Sequence, residues 1–216
     1  MNIIQSIISI IYPELCFSCR ELTISDQPLC LRCLATIKPI ASRLFPLKGN
    51  QVLTVHAVGA YQDALHKLVT AKFRRSLPAA QAIGRLMVRL MPPEILDVDY
   101  VVPVPLHWWR YANRGYNQAV EMAKVISDEL KIPYAPLLYR HRFTQFQYLL
   151  SRKERQENMH QVFSLRPAAS SISPGARILL VDDLCTTGST LQAAATTLLT
   201  LKPAQISAAV CARALS

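Results

Sequence analysis

The chain has 216 residues, 51% of them hydrophobic, with 24 Lys plus Arg against 14 Asp plus Glu and a formal net charge of +10. That length and apolar content exclude a disordered or tail-like protein and suit one full-sized domain with a small appendage. No apolar run reaches the ~18 to 20 residues a membrane span needs, so none is expected.

Met1 to Tyr12 is Ile-rich, without a basic start or a small-residue cleavage site, and runs into Pro13. It reads as a docking helix and not as a signal peptide. Four of the six cysteines follow as Cys16-x2-Cys19 and, ten residues on, Cys30-x2-Cys33. Two such knuckles present four thiolates that can close tetrahedrally on Zn²⁺ as a structural site. The competing reading, two disulfides in a secreted protein, is disfavoured by the missing signal peptide and by a chain long enough not to need staples.

Ile37 to Gln51 contains Pro39, Pro46 and Gly49 and reads as a linker. Val52 to Tyr61 reads as a strand. Asp63 to Phe73 and Pro78 to Met91 read as helices, with Leu65, Leu68, Val69 and Ile83, Leu86, Met87, Leu90 facing inward. Tyr100 to Val104 is a short buried strand. Asn117 is a candidate N-cap for a helix through Lys131, with Ala119, Met122, Ala123, Ile126 and Leu130 at helical spacing. The segment from Arg140 to Gln161 is polar, basic and aromatic with weak periodicity, and reads as a long loop or hood over a site. Arg177 to Val181 is an apolar strand, Thr190 to Leu201 a helix, and Ile206 to Ala212 a strand whose Cys211 reads as core. Strands alternating with helices predict an α/β fold, a parallel sheet flanked by helices on both faces. The expected division is residues 1–50 for the N-terminal helix and zinc ribbon and 51–216 for the α/β domain.

The run from Ile178 through Val181 to Asp182, Asp183, Leu184, Cys185, Thr186, Thr187, Gly188, Ser189 and Thr190 joins a buried strand to a helix through two carboxylates and a small, hydroxyl-rich turn. Beyond the carboxyl end of a parallel strand, backbone N–H groups and a helix N-terminus form an anion site suited to a phosphate monoester. Gly188 permits close backbone approach, and Thr186, Thr187, Ser189 and Thr190 can donate from their hydroxyls. The carboxylates of Asp182 and Asp183 can accept from vicinal hydroxyls directly or through Mg²⁺. Phosphate on one side and diol on the other describe a ribose 5-phosphate. Cys185 reads as a loop residue, because no His or second base near it in sequence supports a nucleophile.

This run resembles the phosphoribosyl-pyrophosphate loop of type I phosphoribosyltransferases, and the chain as a whole is similar to the ComF competence-protein family. The resemblance extends over the Cys16, Cys19, Cys30, Cys33 ribbon, Tyr61 through Lys72, Val102 to Pro105, Arg114 to Gln118, Arg140 with Thr144 and Gln147, Arg152 with Arg155 and Asn158, Phe163, and the Asp182 motif. It implies a type I phosphoribosyltransferase fold behind a four-Cys zinc ribbon. It further implies phosphoribosyl pyrophosphate as ligand, with the 5-phosphate on Thr186, Thr187, Gly188, Ser189 and Thr190 and the ribose and Mg²⁺ on Asp182 and Asp183, the candidate catalytic pair. The implied role is natural transformation, with incoming single-stranded DNA handled in the cytoplasm and other competence proteins docking through the ribbon.

The charge is local. Lys72 to Arg89 carries +5, Pro103 to Asn117 +2 and Leu137 to Arg166 +4, which leaves the rest of the chain close to neutral. Trp108, Trp109, Tyr111 and Tyr116 interleave with Arg110 and Arg114, and Phe143, Phe146 and Tyr148 with Arg140, Arg142 and Arg152. Stacking faces beside backbone-neutralising cations, with Arg74 and Arg75 added, suit single-stranded nucleic acid. The competing reading makes the aromatics core residues and the arginines ligands of pyrophosphate. Two functions follow: a DNA-handling protein with a phosphoribosyltransferase-like site, or a working transferase with an unidentified acceptor.

Overall fold

The computed structural model describes residues 15–23, 27–71, 77–106, 115–141 and 162–215. The strands are β1 (Arg43–Pro46), β2 (Val52–Ala60), β3 (Tyr100–Pro103), β4 (Leu138–Arg140), β5 (Phe163–Leu165), β6 (Arg177–Cys185) and β7 (Gln205–Arg213). The helices are α1 (Leu31–Leu34), α2 (Asp63–Ala71), α3 (Leu77–Leu90), α4 (Pro93–Leu96), α5 (Gln118–Leu130) and α6 (Ser189–Leu198). A five-stranded sheet runs in the order β1-β2-β7-β6-β3. Its four strands from β2 to β3 are parallel, and β1 pairs antiparallel to β2 at the edge. β4 and β5 form a separate antiparallel pair.

The central strands are apolar because both of their faces are covered. On β6, Leu179 and Val181 enter one core and Ile178 and Leu180 the other; on β7, Ala209 and Cys211 oppose Ile206, Ala208 and Val210 in the same way. The first core is closed by Leu65, Leu68 and Val69 of α2, Ile83 and Met87 of α3, and Met122 and Ile126 of α5. Leu191, Ala194, Ala195 and Leu198 of α6 close the second. Cys16, Leu29 and Cys33 belong to the first core, so the ribbon is packed onto the helices.

Helices α3 and α5 approach closely at Gly84, where an added Cβ would stand 3.0 Å from the Met122 carbonyl oxygen and from Val125 Cβ. Asn117 caps α5, its Oδ1 accepting from the Ala119 N–H at 3.1 Å. Its Nδ2 donates to the Val104 carbonyl at 3.1 Å, which ties the start of α5 to the end of β3.

Three expectations are corrected. The linker contains a strand, since β1 lies inside 37–51 and pairs Arg43 with Val55 through Pro46 with Val52. Leu90 is 46% exposed at the end of α3, where the next residue, Met91, turns into the core instead. And β6 does not stop at Val181: β7 continues in register beside it, pairing Asp182 with Val210, Leu184 with Ala212 and Cys185 with Arg213. Cys185 is therefore a strand residue, 2% exposed, and not part of a loop.

Candidate functional site

The four cysteines of the ribbon converge, their sulfurs all within 4.8 Å of one another. Zinc–sulfur bonds of ~2.3 Å in a tetrahedron place sulfurs about 3.8 Å apart, and Cys19 and Cys30 Sγ stand at 3.6 Å. All four are free thiols. Local backbone makes the pocket: the Cys16 N–H donates to Glu21 O at 2.8 Å, the Phe17 N–H to Pro28 O at 3.0 Å, and Cys30 starts α1, which carries Cys33. Burial opposes ionisation of Cys16, but the N–H groups of Cys19, Cys30 and Ser18 outweigh it and bring the thiol down to about 6. Cys33 is pushed up to about 12 by burial and by the other cysteines of the cluster. Opposite shifts at Cys16 and Cys33 are expected of interacting thiols crowded without a cation. The donor set fits a tetrahedral metal such as Zn²⁺.

The second constellation lies at the carboxyl edge of the sheet, where β2, β3, β6 and β7 all end. The helix that follows β6 packs on one face and those that follow β2 and β3 on the other. The ends of β6 and β3 thus flank a topological switch point, the usual place for a ligand in an open parallel sheet. A concavity there is lined by Asp182 and by residues 184–191. Thr186, Thr187, Gly188, Ser189 and Thr190 all line it. Gly188 is the N-cap of α6 at φ 81° and ψ −4°. Thr187 and Ser189 hydroxyls lie 3.1 Å apart, and the Ser189 N–H reaches Thr187 Oγ1 at 3.4 Å. Hydroxyl and backbone donors therefore crowd the start of a helix, the arrangement that holds an oxyanion.

The two carboxylates have different surroundings. Successive residues of a strand address opposite faces, and Asp182 and Asp183 still lie on paired β6. Asp182 lines the concavity and accepts the Asp183 N–H at 2.8 Å. Asp183 faces Tyr61, whose hydroxyl is pushed up by burial and then by the Asp183 charge. Tyr61 follows β2, donates its N–H to Arg213 O at 2.8 Å and stacks tilted on His66 with 4.9 Å between ring centroids. The edge thus carries a phosphate-like side with Asp182 and an aromatic side with Asp183. The Cys185 thiol is pushed up, chiefly by burial, which makes it a poor nucleophile.

Of the candidate nucleic-acid residues, Tyr116 precedes α5 and is partly buried, and Arg140 ends β4 with its guanidinium 5.4 Å from the Phe163 ring across the β4–β5 pair. Arg74, Arg75, Trp108, Arg110, Arg114, Arg142 and Arg152 lie outside the described residues. Sequence reasoning missed Phe45, which the packing of α6 across β1 brings against Gly188, its neighbour Arg43, and Arg213, which sheet order places beside Cys185. Their only local signal was a basic or aromatic residue inside a short strand.

A phosphoribosyl transferase domain model matches residues 116–216, the span that contains β6, the Thr186–Thr190 turn and β7. Competence protein F of Haemophilus influenzae is 31% identical over 208 residues, covering 82% of this chain and 86% of that protein. DNA utilization protein YhgH of Escherichia coli K12 is 28% identical over 190 residues, 82% of this chain and 80% of that one. Competence protein ComFC of Bacillus subtilis is 26% identical over 201 residues, 81% and 79% of the two chains. The Haemophilus match takes in 82% of this chain and 86% of that protein, the domain match contains the Thr186–Thr190 turn, and on these matches the chain belongs to the ComF family of competence proteins.

Proposed function

We propose that this protein handles incoming single-stranded DNA during natural transformation, in the cytoplasm, and that its sheet edge binds phosphoribosyl pyrophosphate with Mg²⁺. The observation that carries the reading is the passage from buried β6 through Asp182 into the hydroxyl-rich start of α6. In this reading Thr186, Thr187, Gly188, Ser189 and Thr190 hold the 5-phosphate. Asp182 and Asp183 serve the ribose hydroxyls and Mg²⁺ from the two sides of β6, as hard carboxylate oxygens would. Zn²⁺ sits on Cys16, Cys19, Cys30 and Cys33. Leu22 and Leu31, each 68% exposed on the ribbon, offer apolar contacts to other competence proteins.

Calorimetric titration with phosphoribosyl pyrophosphate and Mg²⁺ tests the ligand. Binding is expected, and Asp182→Ala with Asp183→Ala should weaken it by about a hundred-fold or more, since each removes a charge-assisted contact. Absence of binding to the unmodified protein would overturn the assignment. Pyrophosphate release in the same mixture would establish the transferase reading.

The DNA part is tested with a labelled single-stranded oligonucleotide over a salt series. Each phosphate contact contributes about 0.7 to the slope of log affinity against log salt. Neutralising Arg74, Arg75, Arg110 and Arg114 together should reduce that slope by about 3 if all four contact the backbone. No affinity at low salt sinks this half of the proposal.

A further inference from the structure

Two arginines that no sequence motif singled out act on the end of β6, next to the Thr186–Thr190 turn. Arg213, the last residue of β7, is the lateral partner of Cys185, the last residue of β6. Partners in adjacent parallel strands project to the same face, and Cys185 lines the concavity. The Arg213 Nη2 donates to the Ala41 carbonyl at 2.9 Å, while its Nε is buried without a hydrogen bond. Arg43 arrives from the opposite side in sequence. Its guanidinium lies 5.1 Å from the centroid of the Phe45 ring. That ring in turn presses on the turn itself, because a Cβ added to Gly188 would fall 2.3 Å from Phe45 Cζ. Gln192 of α6 fixes β1 in place by donating to the Pro46 carbonyl at 3.2 Å. Both guanidinium groups act electrostatically on the Cys185 thiol, in opposition to burial and to Asp182.

We propose that Arg43 and Arg213 form a cationic wall of the phosphate site, so that a phosphate monoester dianion is held by two guanidinium groups as well as by the turn's N–H and hydroxyl donors. The proposal rests on the reading of Thr186–Thr190 as a phosphate cradle and says what completes it. A helix start supplies only partial positive charge, which leaves most of a dianion's charge to be met. Arg213 presents a buried donor that no protein group satisfies among the described residues, and a buried donor of that kind is costly unless it finds an acceptor. Arg43, stacked on Phe45, has its guanidinium held in place by the ring. The arrangement also accounts for the position of β1. This short edge strand carries Arg43 and Phe45 to the turn from about 140 residues away in sequence.

The test is the affinity for ribose 5-phosphate, with ribose as the uncharged control, in the full chain loaded with metal. The unmodified protein should bind ribose 5-phosphate and not ribose. Arg43→Gln and Arg213→Gln should each weaken binding by about ten- to a hundred-fold, and Thr187→Val, in the turn, should weaken it as well. Arg213 also holds the Ala41 carbonyl, so Arg213→Lys is the second variant: it keeps a cation within reach and loses the forked donor, and intermediate affinity is expected. Ribose 5-phosphate bound equally well by Arg43→Gln and Arg213→Lys, with Thr187→Val impaired, would overturn the cationic wall and leave the cradle standing. No binding to the unmodified protein would overturn the cradle, and the wall with it.

Discussion

Freshly purified protein is expected to carry one zinc per chain, and stripping it should lower the melting temperature of the whole protein. The size of the effect follows from where the ribbon sits. Cys16 and Leu29 are fully buried and share a core with Leu65, Leu68, Ile83 and Met87. The segment that leaves the ribbon is also locked to β2, with the Ala60 N–H donating to Lys38 O at 3.0 Å and Ile37 lying against Gly59. Without metal, burial and the neighbouring thiols oppose ionisation of Cys33, and the knuckles lose what closes them. Metal binding free energy in small zinc modules is about 10–16 kcal/mol. If only about 4 kcal/mol of it is lost from the folded protein, the melting temperature falls by about 8–16 °C for a chain of this size. Cys16→Ser should reproduce both the loss of zinc and the fall. Cys211→Ala, which removes a buried thiol of β7 from the same core, should keep full zinc content. An unchanged melting curve after chelation, with no metal in the untreated protein, would overturn the zinc centre.

What the sequence made legible divides along a physical line. β2, β6 and β7 are readable because a parallel strand covered on both faces is a continuous apolar run. α5 is readable because Asn117 caps it and four buried side chains recur at helical spacing. β1 is not readable. It is four residues long, Leu44 is 65% exposed, and Pro46 resembles a breaker although an edge strand tolerates it. The overrun of β6 was hidden for the opposite reason: Asp182 and Asp183 look like the end of an apolar strand, and only the register of β7, which pairs Asp182, Leu184 and Cys185, carries the strand past them. The same division holds at the sites. The cysteine knuckles and the Thr186–Thr190 turn are contiguous in sequence, so their chemistry can be read locally. Arg213 owes its position to sheet order, and Arg43 and Phe45 owe theirs to the packing of α6 across β1, neither of which a local pattern encodes. The separation of Asp182 from Asp183 across β6 belongs with them.

Gly188 is where the backbone, the core and the anion site meet, and Gly188→Ala is expected to damage all of them. The residue sits at φ 81°, in the left-handed region. An L side chain there costs about 1–2 kcal/mol. The new methyl would also lie 2.3 and 2.4 Å from Phe45 Cζ and Cε1, too close for either group to stay. Phe45 is 6% exposed in the second core and cannot swing into solvent, so overpacking adds about 1–3 kcal/mol. The expected destabilisation is about 2–5 kcal/mol, measured by denaturant unfolding. The loop can relieve the contact only by moving off β1, so affinity for ribose 5-phosphate should fall with stability. A double-mutant cycle separates the causes. Phe45→Ala alone should cost about 3–5 kcal/mol. Combined with Gly188→Ala it should cost about 1–3 kcal/mol less than the sum of the two, because the overpacking is gone while the backbone strain stays. Strict additivity would mean that Phe45 does not constrain Gly188 and that the strain is in the backbone alone. The same double variant reads the site: with the clash removed, recovered ribose 5-phosphate affinity would place the damage in the displaced loop, whereas affinity still lost would place it in Phe45 itself, as the support on which Arg43 rests.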